Sequence, residues 1–320
     1  MLTSNQEKGG ELDADLERLR QRLASTIERW TPNQQVQETV VPGLHLFRSD
    51  SQTSCTASVY EPSVCFIAQG TKSVSFGDRE LIYQPLTYMV SSVHLPVLGR
   101  ILDASPEKPY LAFKIVVDPQ DVSNLVLEMG DQLPPEAALG PCPEGDCALS
   151  MATMDRGMLD AVTRLIGLLD APQDIPVVAP LARKEILYRT LIGEMGPRMR
   201  KFAVADSSVN RVSRVIALLT DRYTETLRIK ALADEVNMSE SALFHTFKQV
   251  TRMSPLQFQK KLRLHEARRL MLAEGLEAAT ASYRVGYESP SHFSREYSRL
   301  FGAPPRADVS KLRGEQATPA

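Results

Sequence analysis

The sequence predicts an α+β protein with two domains. A β-rich barrel or sandwich flanked by helices comes first, and an all-α domain with two helix-turn-helix motifs follows. Three observations support this prediction. Short β-rich runs separated by turn residues dominate from about Val40 to Val117. Apolar residues recur at helical spacing in the segments that follow. One helix-turn-helix pattern then occurs twice between Ile229 and Pro305.

Length, charge and cysteine content narrow the class of protein. The 320 residues suffice for two or three domains, and the hydrophobic share of 43% is ordinary for a globular chain. The net charge is -2, but Lys and Arg outnumber Asp and Glu from Ser207 onward, which favours nucleic-acid binding at that end. The polar N-terminus and the lack of a long apolar run predict a cytoplasmic protein without a signal peptide or membrane span. Four cysteines in so long a chain predict free thiols rather than a disulfide framework.

The first predicted helix runs from Glu11 to Trp30. Its leucines and isoleucine are spaced by threes and fours, with charged residues between them, so they form one apolar face. We expect this helix to cap the following domain rather than to bind a partner.

Short strands are predicted throughout the next region. Its β-branched and aromatic runs are separated by turn signals such as Gly77-Asp78 and Gln84-Pro85. Many short strands with regular turns are typical of a β-sandwich or β-barrel. The predicted strands are Leu44–Phe47, Val64–Ala68, Ser73–Phe76, Glu80–Tyr83, Thr87–Ser91, Val97–Leu102 and Leu111–Val117.

The β-rich region offers few groups for catalysis or metal binding. His45 and His94 are its only histidines, whereas a catalytic metal needs three or four nitrogen, oxygen or sulfur ligands. We therefore predict no metal and no other cofactor. Cys65 and His94 are the candidates for a small-molecule pocket. The alternatives are a structural role for His94 and, for Cys55 and Cys65, either buried structural thiols or thiols that sense an oxidant or electrophile.

Helices are predicted for most of the chain after residue 119. The first three are Pro119–Met129, Asp155–Leu169 and Ala182–Met195. The Pro/Gly-rich segment with Cys142 and Cys147 is interpreted as a surface loop, with a redox disulfide as the alternative. Gly196-Pro197 begins a predicted linker that extends to Asp206, in which we expect three basic side chains to be exposed: Arg198, Arg200 and Lys201.

Two segments of the C-terminal region have the features of a helix-turn-helix. In each, a short helix and a tight turn precede a serine that can cap the next helix, Ser239 in the first copy and Ser289 in the second. Pro290 suits the first position of a helix. The second turn is one residue longer, which Gly286 accommodates because glycine tolerates positive φ. The residues predicted to form the two buried faces are Leu243, Phe247, Val250, Phe293, Tyr297 and Leu300.

A single helix is predicted to join the two copies. Ser254-Pro255 provides a cap and a first turn, and Gly275 provides a stop. About 18 helical residues span roughly 27 Å, which is near the roughly 34 Å between successive major grooves on one face of DNA. This geometry allows both motifs of one subunit to enter adjacent grooves.

The remaining faces of the two second helices carry hydroxyls and cations, which bind base edges and phosphates when a helix lies in a major groove. Base-edge contacts are predicted from Ser241, His245, Ser291 and Arg295. Arg295 is the strongest of these because arginine binds guanine through two hydrogen bonds. Contacts that position the protein on phosphates are predicted from Lys248, Arg252 and Arg299. Contacts with either a base or a phosphate are predicted from Phe244 and His292. For the polar and charged residues the alternative is a solvated helix face. For Phe244 the two open interpretations are apolar contact with a thymine methyl and a packed ring.

Several fixed spacings accompany the duplicated motif. They are Ser239-x-Ser241-x-Leu243, Phe247-Lys248, Met253-Ser254-Pro255, Val285-Gly286-Tyr287 and Phe293-Ser294-Arg295-x-Tyr297. The stretch Ile229–Pro305 therefore resembles the DNA-binding domain of the AraC/XylS family of bacterial transcription regulators. The chain departs from the family pattern at three places: Arg252 stands where glycine is usual, Phe244 stands beside a reader position, and Ala307-Asp308 replaces an aromatic-Arg pair.

The β-rich region is similar to the cupin-like β-barrel found at the N-terminus of one branch of that family. The likeness is carried by Tyr60-Glu61-Pro62-Ser63, Gln69-Gly70-x-Lys72 and Leu95-Pro96. It implies that the barrel holds a small molecule and that the helices after it pair two subunits into a homodimer. The predicted boundaries are 1–39 for the N-terminal helix and lead-in, 40–118 for the barrel, 119–196 for the helical dimerisation region, 197–206 for the linker, 207–314 for the DNA-binding domain and 315–320 for the tail.

The resemblance implies a regulator that binds promoter DNA, is controlled by a small-molecule effector in the barrel, and contacts RNA polymerase. Activation of transcription is the expected output, although the sequence does not distinguish it from repression, and no enzymatic activity is expected. Two alternatives remain open. One is an effector-independent DNA-binding protein whose barrel only dimerises, and the other is a cupin-type enzyme with an appended DNA-binding module.

Overall fold

The computed structural model describes residues 3–32, 36–134, 148–203 and 207–317. Cys142 and Cys147 lie outside these residues. The strands are β1 (Val36–Glu38), β2 (Leu44–Ser49), β3 (Thr56–Tyr60), β4 (Ser63–Gln69), β5 (Thr71–Phe76), β6 (Arg79–Tyr83), β7 (Thr87–Ser91), β8 (Leu95–Asp103), β9 (Tyr110–Val116) and β10 (Leu149–Thr153). The helices are α1 (Thr3–Trp30), α2 (Pro119–Met129), α3 (Arg156–Gly167), α4 (Ile175–Ile192), α5 (Gly196–Ala203), α6 (Ser208–Asp221), α7 (Ile229–Glu235), α8 (Glu240–Thr251), α9 (Pro255–Ala273), α10 (Ala278–Arg284), α11 (Pro290–Phe301) and α12 (Pro305–Ala317).

The strands form two antiparallel sheets. One has six strands in the order β1-β2-β9-β4-β7-β10, and the other has four in the order β3-β8-β5-β6. Strand β4 pairs with β7 on one side and β9 on the other, so it lies in the middle of the larger sheet. This arrangement, followed by an all-helical C-terminal part, confirms the predicted two-domain α+β class.

One face of the six-stranded sheet is covered by α1, α3 and α4. Leu23 and Ile27 of α1 are fully buried there, in one cluster with Leu165 of α3. In the sheet beneath them the rings of Phe66 and Phe113 stack with centroids 4.8 Å apart. Each such buried side chain contributes about 1.5–3 kcal/mol of transfer free energy. The expectation that the first helix caps the β-rich domain is therefore confirmed.

The other face of the six-stranded sheet is turned toward the four-stranded sheet. Side chains alternate along a strand, and in β4 Phe66 belongs to the helix-covered cluster while Cys65 and Ile67 belong to the cluster between the sheets. In β5, Val74 and Phe76 are buried in that same cluster. The space between the sheets is thus lined from both sides.

The strand predictions hold best where β-branched and aromatic residues are dense, and Thr87–Ser91 coincides with β7. Strands β1, β3 and β10 were not predicted. β1 has three residues, the sequence of β3 is mostly small or polar, and β10 directly follows the Pro/Gly-rich segment. Their strand conformation is set by pairing with β2, β8 and β7 rather than by local composition.

The predicted linker is wrong in its first part, because Gly196–Ala203 forms helix α5. The expected exposure of Arg198 is also wrong, since its side chain is only 3% exposed. Met199 and Phe202 are buried beside it. Arg200 is partly buried and its Nη1 donates a 2.7 Å hydrogen bond to the carbonyl oxygen of Pro134. This segment is therefore packed against the preceding domain rather than extended in solvent.

The C-terminal helices divide their apolar residues between two clusters. Leu243 and Phe247 of α8 belong to the cluster that also fills the space between the two sheets. Phe293 and Tyr297 of α11 belong to a separate cluster with α9 and α12. The first helix-turn-helix is therefore continuous with the N-terminal domain, whereas the second packs only on C-terminal elements within the described residues. Helix α12 reaches Ala317, into the segment predicted as a tail.

Among the described helices, no single one has the length and apolar character to cross a membrane; α3 and α4 with their adjoining turns, Arg156–Asp170 and Pro172–Ile192, meet those two criteria only as a pair bent by 115°.

Candidate nucleic-acid interface

The first helix-turn-helix consists of α7 and α8, which we call head 1. Ser239 caps α8 by accepting a hydrogen bond from the amide of Ala242 at 3.2 Å, as its position before the helix predicted. Leu243, Phe247 and Val250 are fully buried and lie on one face of α8. Burial of that face leaves the opposite face of the helix to solvent.

The second helix-turn-helix consists of α10 and α11, which we call head 2. Ser289 accepts a hydrogen bond from the amide of His292 at 3.3 Å, and Pro290 occupies the first turn of α11. Phe293 and Tyr297 are fully buried. The helix ends at Gly302, whose φ of +79° is the left-handed conformation that glycine adopts at little cost. Both predicted caps and both predicted buried faces are thus present.

The predicted reader residues lie on the outward faces of α8 and α11. The exposed ones are Ser241, His245, Lys248, Ser291, His292, Arg295 and Arg299. Phe244 is 46% exposed, so its ring is available to a thymine methyl. In head 1, Ile229 joins the readers of α8 in lining an open depression. The structure therefore brings the predicted contacts together as one outward surface on each head, and their roles toward DNA stay predictions.

Arg252 has a different setting from the other predicted contacts. It ends α8 with φ +58°, a conformation that a residue with a Cβ rarely adopts, and its side chain is half-buried. A Cβ added to Gly77 in the β5–β6 turn would lie 2.3 Å from the Arg252 Cβ, so only glycine permits this approach. The amide of Ala148 also donates to the carbonyl oxygen of Val250 at 2.9 Å. The end of head 1 therefore rests on the N-terminal domain.

Helix α9 separates the two heads and fixes their relation. Its 19 residues correspond to about 28 Å. The start is secured by Ser254 and Gln257, each of which bonds the backbone of the other. In the middle of α9, Arg263 donates hydrogen bonds to the carbonyl oxygens of Tyr223 at 2.6 Å and Gly286 at 2.9 Å. One side chain thus joins the loop that precedes head 1 to the turn of head 2.

A partly buried carboxylate on α11, Glu296, ties head 2 to α9. Lys260 of α9 donates to it at 2.7 Å, and the hydroxyl of Tyr287 donates at 2.9 Å. Burial alone would raise the pKa of Glu296, but these two hydrogen bonds lower it overall. Nε2 of His292 lies 3.6 Å from the same carboxylate, which restrains the ring of a predicted DNA contact. Glu296 was not predicted from the sequence, because Lys260 lies on a distant helix and Tyr287 in the turn before α11.

Asp308 was noticed in sequence only as a departure from the family pattern. It is 6% exposed and receives two hydrogen bonds from Arg268, at 2.8 and 2.7 Å. The hydroxyl of Tyr297 donates a third at 2.7 Å. The guanidinium of Arg268 also lies 4.5 Å from the centroid of the Phe301 ring. A paired, fully bonded carboxylate of this kind fixes α12 against α9 and α11.

The two candidates for a small-molecule pocket lie in different surroundings. Cys65 faces the space between the sheets, and burial raises the pKa of its thiol. His94 lies between β7 and β8, where partial burial lowers the pKa of its imidazole while the carboxylates of Glu61 and Asp221 act in the opposite direction. Cys55, in contrast, is exposed and precedes β3, so the alternative of a buried structural thiol is wrong for it. Their roles in a pocket stay predictions.

No group of three or more His, Cys, Asp or Glu side chains suited to a metal ion occurs among residues 3–32, 36–134, 148–203 and 207–317.

Comparison with known families decides the classification. Residues 40–198 match the family described as AraC-type transcriptional regulator N-terminus, and residues 232–309 match a helix-turn-helix domain family. The chain belongs to the AraC/XylS family. This agrees with the resemblance drawn from the duplicated motif, and it assigns the β-rich domain to the same family of regulators.

Relatives within the AraC/XylS family include the HTH-type transcriptional activator RhaS of Salmonella typhimurium. It is 27% identical over 156 residues, which are 48% of this chain and 55% of RhaS. This chain therefore spans about half the length of the curated relatives it matches. RhaS of Salmonella typhi matches to the same extent.

Solved structures share the fold of most of the chain. ToxT from Vibrio cholerae O395, bound to (E)-4-(8-methylnaphthalen-1-yl)but-3-enoic acid, superposes with a TM-score of 0.55 at 11% identity, covering 87% of this chain and 100% of ToxT. A second ToxT structure gives a TM-score of 0.53 at 10% identity, covering 86% and 98%. At these identities the likeness concerns the fold alone.

Proposed function

We propose that this AraC/XylS-family protein is a sequence-specific transcription regulator whose two heads read adjacent major grooves of promoter DNA. The observation that carries the proposal is the pair of outward reader surfaces on α8 and α11, held at opposite ends of a helix of about 28 Å. That length approaches the repeat of about 34 Å between major grooves on one face of DNA.

The chemistry of the two surfaces divides into reading and positioning. Ser241 and His245 on head 1, with Ser291 and Arg295 on head 2, offer donors and acceptors to base edges. Lys248 and Arg299 lie in the last turn of α8 and α11, where a cation reaches the phosphate backbone. The first set would carry sequence discrimination, and the second would carry affinity that depends on salt.

Control by a small-molecule effector is supported by the contact between the two domains. The β5–β6 turn touches the end of α8 through Gly77 and Arg252, and Ala148 bonds the backbone of Val250. ToxT, which shares this fold, has been crystallised with a small organic molecule. We expect the N-terminal domain and head 1 to have two relative arrangements. An effector with a higher affinity for one arrangement would increase the population of that arrangement and so change the contact with head 1.

A homodimer through α4 is supported by an apolar stripe on its outer face. Val177 is 69% exposed, Leu181 63% and Tyr188 39%. These residues follow one another at helical spacing and form an apolar strip that the exposed Lys184 interrupts. Ile186 and Leu191 of the same helix are buried on the other side. Pairing of two subunits along this strip would place four heads on one promoter. Contact with RNA polymerase and activation of transcription, the activity named for RhaS, complete the proposal; no enzymatic step is part of it.

The experiment that tests the function is selection of genomic DNA fragments by the purified full-length protein at about 150 mM salt, where sequence-blind phosphate binding is weakened. Sequencing of the retained fragments should yield a motif with two half-elements. Fragments without any common motif, both with and without cell extract as a source of effector, would contradict the proposal.

A further inference from the structure

A lysine occupies an inward-facing position in the N-terminal domain. Lys72, Val74 and Phe76 follow one another at every second residue of β5, so they share the face turned to the larger sheet. Val74 is 0% exposed and Phe76 is 1% exposed. Lys72 therefore projects into the same interior that these two apolar side chains fill.

Aromatic rings from both sheets surround the Lys72 ammonium. Its Nζ lies 5.8 Å from the ring centroid of Tyr60, on the four-stranded sheet, and 6.0 Å from that of Tyr110, on the six-stranded sheet. Its Cε would lie 3.1 Å from a Cβ added to Gly99, so a glycine leaves room for the lysine chain. We call Tyr60, Cys65, Lys72, Tyr83 and Tyr110 the Lys72 cluster.

The cluster contains a cation but no anion. Another inward lysine, Lys114, sits opposite Cys65 in the pairing of β9 with β4 and forms an ion pair with Glu61. Lys72 has no such carboxylate among the residues that the structure describes. Attraction to ring faces offsets only part of the cost of burying an ammonium group.

The neighbouring groups of the Lys72 cluster do not supply the missing negative charge. Burial raises the pKa of the Cys65 thiol and of the Tyr83 phenol, and it raises the pKa of Tyr110 to about 12. All three are therefore neutral near pH 7. Burial by itself would lower the pKa of Lys72, but the phenols of Tyr60 and Tyr110 raise it above its ordinary value. The lysine is thus charged, whereas Cys65, Tyr83 and Tyr110 are not.

The interior around the cluster is apolar without being completely closed. Phe47, Ile101 and Met151 pack against the cluster between the sheets yet keep part of their surface accessible. Lys72 and Tyr60 are likewise only half-buried by accessible surface. The partly accessible residues beside the lysine and the tyrosines are aromatic, aliphatic or thioether side chains, so a ligand that reaches Lys72 from solvent meets mostly apolar groups.

We propose that the space between the two sheets binds a small organic acid, whose carboxylate pairs with the ammonium of Lys72 and accepts hydrogen bonds from the surrounding tyrosine hydroxyls. The apolar body of the acid lies against Ile101, which is the partner of Lys72 in the pairing of β5 with β8 and keeps part of its surface accessible. This inference rests on the proposed function, because the acid is its effector. A ligand carboxylate supplies the counter-charge that the fold omits, so the site discriminates an acid from its neutral amide.

The test is thermal denaturation of the full-length protein with a series of probes at equal ionic strength. The probes are the straight-chain carboxylates from butyrate to decanoate, together with phenylacetate and 4-phenylbutyrate, each compared with its primary amide; sodium phosphate and sodium chloride serve as inorganic anions. We expect at least one acid, and not its amide, to raise Tm. Lys72→Met should lower the affinity of the protein for that acid on the order of 100-fold. Lys108→Met, a change at an exposed lysine, should leave this affinity unchanged.

Because Lys72→Met removes a half-buried cation that has no carboxylate partner among the described residues, the variant should unfold at or above the wild-type Tm when no ligand is present. Lys72→Gln provides a second variant if Lys72→Met does not fold. The proposal is overturned if no acid acts, if acids and amides act alike, if inorganic anions act equally well, or if both Lys72 variants keep the response. DNA binding, measured in parallel by fluorescence anisotropy with and without each acid, separates the two proposals. Specific DNA binding without any acid effect rejects this inference alone. Absence of specific DNA binding both with and without the acids and cell extract rejects the proposed function.

Discussion

The guanidinium of Arg263 donates a 2.9 Å hydrogen bond to the carbonyl oxygen of Gly286. The same group also holds the carbonyl oxygens of Thr224 at 3.1 Å and Glu225 at 2.8 Å. Carbonyls in the loop before head 1 and in the turn of head 2 are therefore fixed by one side chain of the connecting helix. Because one guanidinium group donates hydrogen bonds to carbonyl oxygens beside both heads, the two heads are held in a fixed relative position.

Gly286→Ala should destabilise the DNA-binding domain more than Gly302→Ala. Both glycines have positive φ, +86° and +79°, so each substitution costs about 1–2 kcal/mol of backbone strain. Only at Gly286 would the new Cβ meet backbone, 2.4 Å from the carbonyl oxygen of Thr224, whereas nothing lies within 4 Å at Gly302. We expect this clash to lower the free energy of unfolding of Gly286→Ala by a further amount of about 1–3 kcal/mol, which urea unfolding would measure. Equal losses in the two variants would show that the close approach is absent.

Arg295→Ala and Arg299→Ala should affect DNA binding in different ways. Arg295 faces outward near the middle of α11 and Arg299 lies in its last turn. On the selected motif, Arg295→Ala should reduce the binding free energy by about 1–3 kcal/mol and relax the preference for one base pair. Its affinity for scrambled DNA should change little. Arg299→Ala should weaken both DNAs alike and reduce the salt slope by about one. Titrations at several salt concentrations give both quantities, and a uniform loss for Arg295→Ala would contradict base reading there.

The free energy of unfolding should depend on pH through the protonation of His265. Burial, assisted by the charges of Arg268 and Lys261, lowers the pKa of His265 to about 3. The unfolded chain protonates this residue near pH 6.5, so the stabilising contribution is complete above about pH 6.5 and is lost as the pH falls toward about 3. His265→Gln should flatten the decline in the urea midpoint between about pH 7 and about pH 5. His292→Gln, at a ring that is 56% exposed, is the control, and the idea fails if both variants decline as the wild type does.

Leu181→Glu should separate the proposed dimer. Leu181 lies at the centre of the exposed stripe on α4, and a carboxylate buried between two apolar faces without a partner is strongly unfavourable. Lys184, three residues further on, already pairs with Glu128 at 2.7 Å, so it does not neutralise the new charge. Sedimentation analysis should show a monomer for this variant and a dimer for the wild type. Leu127→Glu, at an exposed leucine of α2, is a matched control.

The spacing of residues that are close together in the sequence was enough to predict the two helix-turn-helix motifs. The serine caps at Ser239 and Ser289, the buried faces of α8 and α11, and the connecting helix all depend on residues within a few positions of one another. Such features are encoded by periodicity and by hydrogen bonds to nearby amides. The reader residues followed from the same periodicity, since any position opposite a buried face must point outward.

Contacts between distant segments could not be predicted in this way. The ion pair of Arg268 with Asp308 and the contact of Arg252 with Gly77 join residues far apart in sequence. In the sequence, Asp308 stood out only as a departure from a family pattern, and nothing local indicated that it would be buried. Likewise, Arg198 was expected in an exposed linker, but packing against α2, α4 and α6 makes that segment helical and buried.

The central claim is that the two heads of one subunit read separate half-elements. The direct measurement is DNA selection with two paired variants of the full-length protein, Ser241→Ala with His245→Ala on head 1, and Ser291→Ala with Arg295→Ala on head 2. We predict that each variant loses sequence preference in one half-element only, that the two affected half-elements differ, and that their centres lie about 10 base pairs apart. If both variants instead lose preference across the whole motif, or if only one head affects it, the account of two reading heads is wrong.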